Sequence, residues 1–209
     1  MEDPINCPLC RSDSSRFADG KYRSCHHCKG IFLPPNLHPD PEQELTVYRA
    51  HNNVVTDQRY QRFVSPITHA VLQEFTPEHI GLDFGAGTGP VISHVLKEKG
   101  YSILQYDPYF HPDTDLLDRT YDYIACCEVM EHFFDPVKEF TLLRKLLKPK
   151  GALFCMTHIF REGIEFENWY YRTDPTHVFI YREETLEWIK EFFKFRKVDI
   201  QKRLICFWD

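Results

Sequence analysis

A glycine-rich turn is the stretch of this sequence with the clearest capacity for chemistry. Residues 81–90 read Gly-Leu-Asp-Phe-Gly-Ala-Gly-Thr-Gly-Pro, with apolar residues before them and apolar residues at helical spacing after them. The pattern predicts a strand, a tight turn and a helix, so that backbone N–H groups at the helix start face a ligand. Glycine permits positive φ angles and lets a ligand approach the main chain closely. We therefore expect a cofactor site formed by Asp83, Gly85, Ala86, Gly87 and Gly89.

A second acidic residue, Asp107, follows the next predicted strand, Ser102–Tyr106, and precedes Pro108. A short carboxylate at a strand tip is suited to accept hydrogen bonds from both hydroxyls of a ribose. An aspartate before proline can also simply start a turn. Because Asp107 lies about twenty residues after the glycine turn, as a ribose-binding carboxylate should, we favour the ribose function.

Two pairs of cysteines near the start of the chain indicate a metal site. Cys7 with Cys10 and Cys25 with Cys28 each enclose a two-residue gap, and four thiolates in tetrahedral arrangement suit structural Zn²⁺. A segment this short depends on metal binding for its folding free energy. We predict a zinc ribbon over residues 1–33, with a hairpin turn at Asp19 and Gly20. The other four cysteines lie in apolar runs and are interpreted as buried thiols.

The composition is that of a globular protein with one medium domain and a small appendage. The 209 residues are 43% hydrophobic and include no apolar run long enough to cross a bilayer, and the first residues do not resemble a signal peptide. We therefore expect a cytoplasmic protein. The formal net charge of −6 argues mildly against a nucleic-acid-binding protein, because such domains usually carry a basic surplus.

Strands and helices alternate through most of the chain and predict an α/β fold. We expect a proline-rich linker at 34–41, a helical cover at 42–78, and a domain over 42–209 with a mostly parallel sheet. Two closing strands near 195–200 and 203–208 are joined by a short turn and should pair antiparallel. Only thirteen residues separate Asp107 from the strand that starts at Tyr121, so the helix and strand expected there must be shortened or lost.

Several of these motifs resemble class I S-adenosylmethionine (SAM)-dependent methyltransferases. They are the Asp-x-Gly-x-Gly-x-Gly turn, Tyr-Asp-Pro at 106–108, Glu-Val-Met-Glu-His-Phe-Phe-Asp at 128–135 and Lys-Pro-Lys-Gly at 148–151. The resemblance covers residues 42–209. Within this class, the sequence most resembles small-molecule enzymes related to the quinone methylases. Some sugar C-methyltransferases of that wider group carry an N-terminal cysteine-rich zinc domain. The resemblance implies a Rossmann-like fold, SAM as cofactor, and cofactor contacts from Pro108 and Glu128; an equally open interpretation of Glu128 is that it caps a helix.

Acceptor-side candidates cluster in the long loop at 157–182, which follows a strand at the ligand edge of the sheet. His177 is our first candidate for a general base, because an imidazole titrates near neutrality, and Asp174 is close enough in sequence to orient it. An equally open interpretation of His177 is a structural hydrogen bond that ties the loop down. His132 is the second candidate base and His158 the third. The residues predicted to line the substrate cavity are His51, His158, Trp169, Tyr171 and Asp174.

Three functions fit the sequence. The leading one is SAM-dependent methyl transfer to an O, N or C atom of a small molecule. The second is an RNA methyltransferase whose ribbon recognises nucleic acid, which the net charge disfavours. The third is a non-catalytic binding protein, which the intact glycines and Asp107 disfavour.

Overall fold

The computed structural model describes residues 5–50 and 53–209 of the chain. Two sheets and five helices make up the described part. The strands are β1 (Ser14–Phe17), β2 (Tyr22–Cys25), β3 (Ile31–Phe32), β4 (Ile80–Phe84), β5 (Ser102–Tyr106), β6 (Tyr121–Cys127), β7 (Leu147–Met156), β8 (Phe179–Ile180), β9 (Lys197–Gln201) and β10 (Leu204–Trp208). The helices are α1 (Pro41–Ala50), α2 (Gln58–Glu74), α3 (Val91–Glu98), α4 (Pro136–Leu146) and α5 (Glu183–Phe192).

The larger sheet has six strands in the order β5-β4-β6-β7-β10-β9. Strands β5, β4, β6 and β7 are parallel, while β10 runs antiparallel to both β7 and β9. Its central strands are apolar on both faces, as expected of a parallel sheet covered by helices, and Leu82, Ile124 and Phe154 are fully buried. The predicted fold class, a mostly parallel sheet with an antiparallel terminal hairpin, is confirmed.

The segment between β5 and β6 lacks a further sheet strand among the described residues. It contains a 3-10 turn at Thr114–Asp118 and an isolated bridge between Asp107 and His111. The short connection predicted this loss, and its consequence is that β5 forms one edge of the sheet.

Helix α2 continues through Pro66, although a proline inside a helix usually kinks or breaks it. Proline has no N–H to donate to the carbonyl four residues earlier, here that of Arg62. The Ser65 hydroxyl donates to that carbonyl instead, at 2.8 Å, so the carbonyl keeps a hydrogen bond.

The cysteine-rich segment forms the smaller sheet, in the order β1-β2-β3-β8. Its last strand comes from the long loop near the end of the chain, where Ile31 pairs with Ile180 and Phe32 with Phe179. The division of the chain at residues 33 and 41 into ribbon, linker and main domain stays a prediction. None of the helices in residues 5–50 and 53–209 is both long and apolar enough to cross a membrane.

Candidate active site

The glycine turn connects β4 to α3 and is held by the neighbouring strand. Gly85 and Gly87 have φ angles of 77° and 64°, a region that favours glycine. The N–H groups of Gly85 and Ala86 both donate to the carbonyl of Tyr106, at 2.8 and 3.1 Å. A Cβ at Gly85 would lie 2.4 Å from a methyl carbon of Val129, whereas a Cβ at Gly87 would meet no atom within 4 Å. A glycine at position 85 is therefore needed for the packing of Val129 against the turn, whereas the glycine at position 87 leaves open space beside the backbone.

Asp83 fixes the start of α3 rather than facing solvent. Its carboxylate is buried and accepts hydrogen bonds from the hydroxyl of Ser93 at 2.8 Å and from its N–H at 3.3 Å. Burial raises the pKa of Asp83 to about 6. This pairing ties the end of β4 to the first turn of the helix that follows the glycine turn.

Asp107 lies at the tip of β5, beside the glycine turn. One carboxylate oxygen accepts from the N–H of Gly87 at 2.9 Å, and the other accepts from Tyr109 and Phe110 at 2.9 and 3.1 Å. The oxygen that accepts from Gly87 has a further lone pair with which to accept a hydrogen bond from a ligand hydroxyl. The carboxylate is thus held in one orientation by three backbone donors.

These residues line one large cavity of about 1090 Å³ that continues to the histidines of the acceptor-side loops. All predicted cofactor-binding residues line it. They are Asp83, Gly85, Ala86, Gly87, Gly89, Asp107, Pro108 and Glu128. The open space over Gly87 and the oriented carboxylate of Asp107 fit a nucleoside cofactor bound along the backbone of the turn.

At the other end of the cavity, His132 and His177 face each other with ring centroids 4.9 Å apart. The Nδ1 atom of His177 lies 2.6 Å from the carbonyl of Tyr171, and that of His132 lies 3.0 Å from the carbonyl of Thr176. Because a carbonyl only accepts, each Nδ1 carries the proton, and the lone pair of each neutral ring is on Nε2. In His177 this Nε2 lies 3.8 Å from a carboxylate oxygen of Asp174.

The pKa values of this cluster follow from burial. Burial lowers the pKa of His177, although the Glu131 carboxylate opposes the shift, so the ring is neutral at neutral pH. Burial alone would raise the pKa of Asp174. Hydrogen bonds from Thr176 outweigh the effect of burial, so this pKa is lowered. His177 is therefore a neutral imidazole beside an ionised carboxylate.

Beneath the histidines lies a buried carboxylate that the sequence did not single out as a site residue. Glu131 is fully buried, and one of its oxygens accepts from the Tyr171 hydroxyl at 2.5 Å. That hydroxyl also lies 2.8 Å from the hydroxyl of Thr157. Ligand atoms of Glu131, His132 and His177 lie within 4.8 Å of one another, close enough to share a proton or a metal ion.

The other residues predicted at the acceptor side differ in whether they line the cavity. His158 lines the cavity, hydrogen-bonds the Tyr170 hydroxyl at 3.0 Å, and has its pKa lowered to about 4 by burial and by Arg203. Tyr171 and Asp174 also line the cavity. Trp169 is absent from the described lining and packs against Phe160 and Phe166. His51 lies outside the described residues.

Glu128 sits where β6 ends and its backbone is left-handed, with a φ of 51°. Its carboxylate accepts from Arg203 at 2.8 Å, and burial raises the pKa of Glu128 to about 8. The Arg203 guanidinium lies 4.3 Å from the ring centroid of Phe63. Glu128 is also among the residues that line the cavity.

Helix α1 contributes two cavity residues, Glu44 and Tyr48, that no sequence motif indicated. Glu44 is buried and accepts from the hydroxyls of Tyr48 and Tyr109, at 2.9 and 3.0 Å. The ring of Tyr48 packs edge-on against His132, with centroids 5.4 Å apart. Helix α1 thus spans the cavity from the tip of β5 to the histidines.

The four N-terminal cysteines converge at a second, separate site. Their sulfurs lie within 4.8 Å of one another, with Cys7 to Cys28 at 3.6 Å and Cys10 to Cys25 at 3.3 Å. Four sulfurs about 2.3 Å from one zinc ion at tetrahedral angles would lie about 3.8 Å apart. The donor set therefore fits a metal.

The two cysteine pairs sit in matching backbone turns. In each, the N–H of the first cysteine donates to the carbonyl five residues later at 2.9 Å, Cys7 to Ser12 and Cys25 to Gly30. In each, the residue after the second cysteine is left-handed, with φ angles of 61° at Arg11 and 63° at Lys29.

Comparisons with known proteins identify a methyltransferase domain in this chain. Residues 56–199 match a family described as a methyltransferase domain. The ubiquinone biosynthesis O-methyltransferase of Histophilus somni is 32% identical over 81 residues, which are 37% of this chain and 34% of that protein. The chain thus matches about a third of the length of this curated relative.

Solved structures of low sequence identity share the fold. The 1,6-didemethyltoxoflavin-N1-methyltransferase of Burkholderia thailandensis, solved with S-adenosylhomocysteine, aligns with a TM-score of 0.56 and 16% identity over 86% of this chain and 94% of that one. CalO1, a methyltransferase in calicheamicin biosynthesis solved with S-adenosylhomocysteine, aligns with a TM-score of 0.52 and 17% identity over 80% of this chain and 58% of that one.

Proposed function

Because this chain belongs to the methyltransferase domain family, we propose that it transfers the methyl group of SAM to a small-molecule acceptor. The observation that carries the proposal is the single cavity that joins the glycine turn and Asp107 to the histidine cluster. A cofactor on the turn and an acceptor beside the histidines would meet inside this cavity. The acceptor end is lined in part by the aromatic side chains of Tyr48, Tyr170 and Tyr171.

The cofactor end would bind through backbone groups and one carboxylate. SAM, when bound, supplies an activated methyl group on a sulfonium. The carboxylate of Asp107 would accept a hydrogen bond from the ribose through the oxygen that also bonds Gly87, and the open face of Gly87 would admit the cofactor next to the main chain. Holding the cofactor rigidly leaves the acceptor end to align the nucleophile.

The acceptor end would remove a proton from an O–H or N–H nucleophile. His177 is neutral and presents the lone pair of Nε2, so this atom would take the proton. The imidazolium then formed would be stabilised by Asp174, whose carboxylate lies 3.8 Å from the same nitrogen. His132 and His158, which line the same cavity, are the alternative bases.

Binding of S-adenosylhomocysteine, measured by calorimetry, tests the cofactor assignment. The wild-type protein should bind it, and Gly87→Val should abolish binding because the new side chain occupies the space where the cofactor would lie. Gly163→Val is the matched control: this glycine also has a positive φ and open space around it, but it is not among the cavity residues. Equal loss in both variants, or no binding by the wild type, would contradict the proposal.

We further propose that Cys7, Cys10, Cys25 and Cys28 hold one structural zinc ion. Support comes from the convergence of the four sulfurs and from the matching turns that carry them. Metal analysis should find about one equivalent of zinc per chain. Cys25→Ser should lose the metal, whereas Cys206→Ser, which alters a buried thiol of the main sheet, should keep it. Natively purified protein without metal would refute the assignment.

A further inference from the structure

We propose that the cysteine ribbon, defined here as residues 7–33, is a positioning element for the acceptor end of the cavity. Through strand β8 and Arg172, the ribbon fixes the chain on both sides of His177 and thereby sets the orientation of its ring. The chemical meaning of this inference rests on the proposed function, in which His177 is the base. The structural claim can be tested independently of that function.

The first link is the pairing of β3 with β8. Ile31 and Phe32 pair with Ile180 and Phe179, and the N–H of Leu33 donates to the carbonyl of Val178 at 2.9 Å. These hydrogen bonds reach the residue next to His177. The ribbon sheet therefore fixes the chain immediately after the candidate base.

The second link is a close packing contact at the turn that carries the second cysteine pair. A Cβ atom at Gly30 would lie 2.4 Å from Cζ of Phe179, so the ring of Phe179 rests directly on the glycine. The carbonyl of the same glycine accepts from the N–H of Cys25 at 2.9 Å. Gly30 thus belongs to the cysteine turn and also packs against β8.

The third link lies before His177 in the sequence. The hydroxyl of Tyr22, on β2, donates to the carbonyl of Arg172 at 3.0 Å. The Arg172 guanidinium lies 5.2 Å from the ring centroids of both Tyr22 and Phe166, and it pairs with Asp19 at 2.5 Å. The neighbouring carbonyl, that of Tyr171, is the one that accepts from Nδ1 of His177. The ribbon therefore also fixes the acceptor of the hydrogen bond that orients the ring.

The segment 176–178 is held between the ribbon and the turn that carries His132. The N–H of Val178 donates to the carbonyl of Glu131 at 3.0 Å, and Nδ1 of His132 donates to the carbonyl of Thr176 at 3.0 Å. A displacement of β8 must therefore change the relation of the two imidazole rings. At the cofactor end, by contrast, the Asp107 carboxylate is held by N–H groups of Gly87, Tyr109 and Phe110, which belong to the main domain.

The variant Gly30→Ala tests the proposal because it replaces no cysteine and requires no positive φ. It should retain its zinc and bind S-adenosylhomocysteine with a dissociation constant within about twofold of the wild type. The imidazole NMR resonances of His177, identified by their loss in His177→Gln, should move. Adding Phe179→Leu to Gly30→Ala makes room for the new methyl group and should bring these resonances back toward their wild-type positions.

Gly20→Ala is the control within the ribbon. Gly20 has a φ of 80° and lies in the hairpin turn, where the nearest atom to an added Cβ is the exposed end of Arg16 at 4.0 Å. The substitution strains the turn that follows Asp19, the partner of Arg172, but does not touch β8, so the His177 resonances should move much less than in Gly30→Ala. Tyr22→Phe, which only removes the hydroxyl that bonds Arg172, should move them in the same sense as Gly30→Ala but less.

Unchanged His177 resonances in folded Gly30→Ala and Tyr22→Phe would overturn the inference, as would an equal shift in Gly20→Ala. Loss of S-adenosylhomocysteine binding in Gly30→Ala would also overturn it, because the ribbon would then act on the whole cavity. A wild-type protein that fails to bind S-adenosylhomocysteine would instead refute the proposed function, while the NMR comparison would still decide whether the ribbon orients His177.

Discussion

The two ends of the cavity are built in different ways. At the cofactor end, the glycine turn and Asp107 are close in sequence and are joined mainly by backbone hydrogen bonds between adjacent strands. At the acceptor end, the histidines are oriented by side chains and carbonyls from segments far apart in the chain, including the 130–132 turn, the 157–182 loop and the ribbon.

This difference has a physical consequence for specificity. A backbone-built site depends on the local path of the chain and tolerates changes in distant residues. A site assembled from several loops can be reshaped by any one of them, and loops are where proteins place variable binding functions. The cofactor end should therefore stay unaffected by changes that alter the acceptor end.

The largest effect is expected from His177→Ala. Removing a general base lowers turnover by ~10²–10⁴-fold, while S-adenosylhomocysteine affinity should be unchanged because His177 lies at the opposite end of the cavity. Turnover can be followed as S-adenosylhomocysteine release with an acceptor selected from a small-molecule screen. His69→Ala, on an exposed position of α2, is the control. A parallel loss of cofactor affinity would break the comparison between the two ends.

The next largest effect is expected from Asp107→Ala. Losing charge-assisted hydrogen bonds to a ribose costs roughly 2–3 kcal/mol, which weakens binding by tens-fold or more. Calorimetry with S-adenosylhomocysteine measures this loss, and Asp115→Ala, an exposed aspartate of the neighbouring 3-10 turn, is the control. The acceptor end should be untouched, so the NMR resonances of His177 should not move. Unchanged affinity would refute the ribose assignment.

A sharper test of the acceptor end is the pH dependence of turnover. The base must be neutral, and burial places the pKa of His177 below its usual value, so turnover should be level at neutral pH and fall as the pH is lowered through that pKa. The Asp174 carboxylate raises the pKa of His177, so Asp174→Asn should move this acid limb to lower pH and reduce the maximal turnover. Glu162→Gln, at an exposed position of the same loop, should leave the profile in place. An acid limb that moves upward would contradict the assignment.

What could be predicted from the sequence follows the same division. The glycine turn, Asp107, the lost strand before Tyr121 and the paired cysteines are all local patterns, in which residue type and spacing determine the geometry. The terminal hairpin was predictable because a short turn between two strands leaves only antiparallel pairing.

The acceptor end was less predictable because its contacts are long-range. Trp169 was predicted to line the cavity from its place in an aromatic loop, and its ring lies against Phe160, Phe166 and the cavity residue Tyr171; aromatic spacing alone does not show which ring of such a cluster faces inward. Strand β8 has two residues and no periodic signal, so its pairing with β3 could not be inferred. Glu44 lies in no sequence motif, so its hydrogen bond with the Tyr109 hydroxyl, 65 residues later in the chain, could not be inferred from the sequence.

The smallest effect is expected where the two ends meet, at helix α1. Tyr109→Phe removes one hydrogen bond to the buried carboxylate of Glu44 and so loosens α1 from the tip of β5. A net loss of about 1 kcal/mol should weaken S-adenosylhomocysteine binding only a few-fold in calorimetry. Tyr170→Phe is the matched control: it removes an exposed hydroxyl that hydrogen-bonds to His158, and it should leave this affinity unchanged. If the ends are independent, the NMR resonances of His132 should stay in place in Tyr109→Phe. If they move, the contact of Tyr48 with His132 transmits the change, and α1 couples the two ends that the rest of the molecule keeps apart.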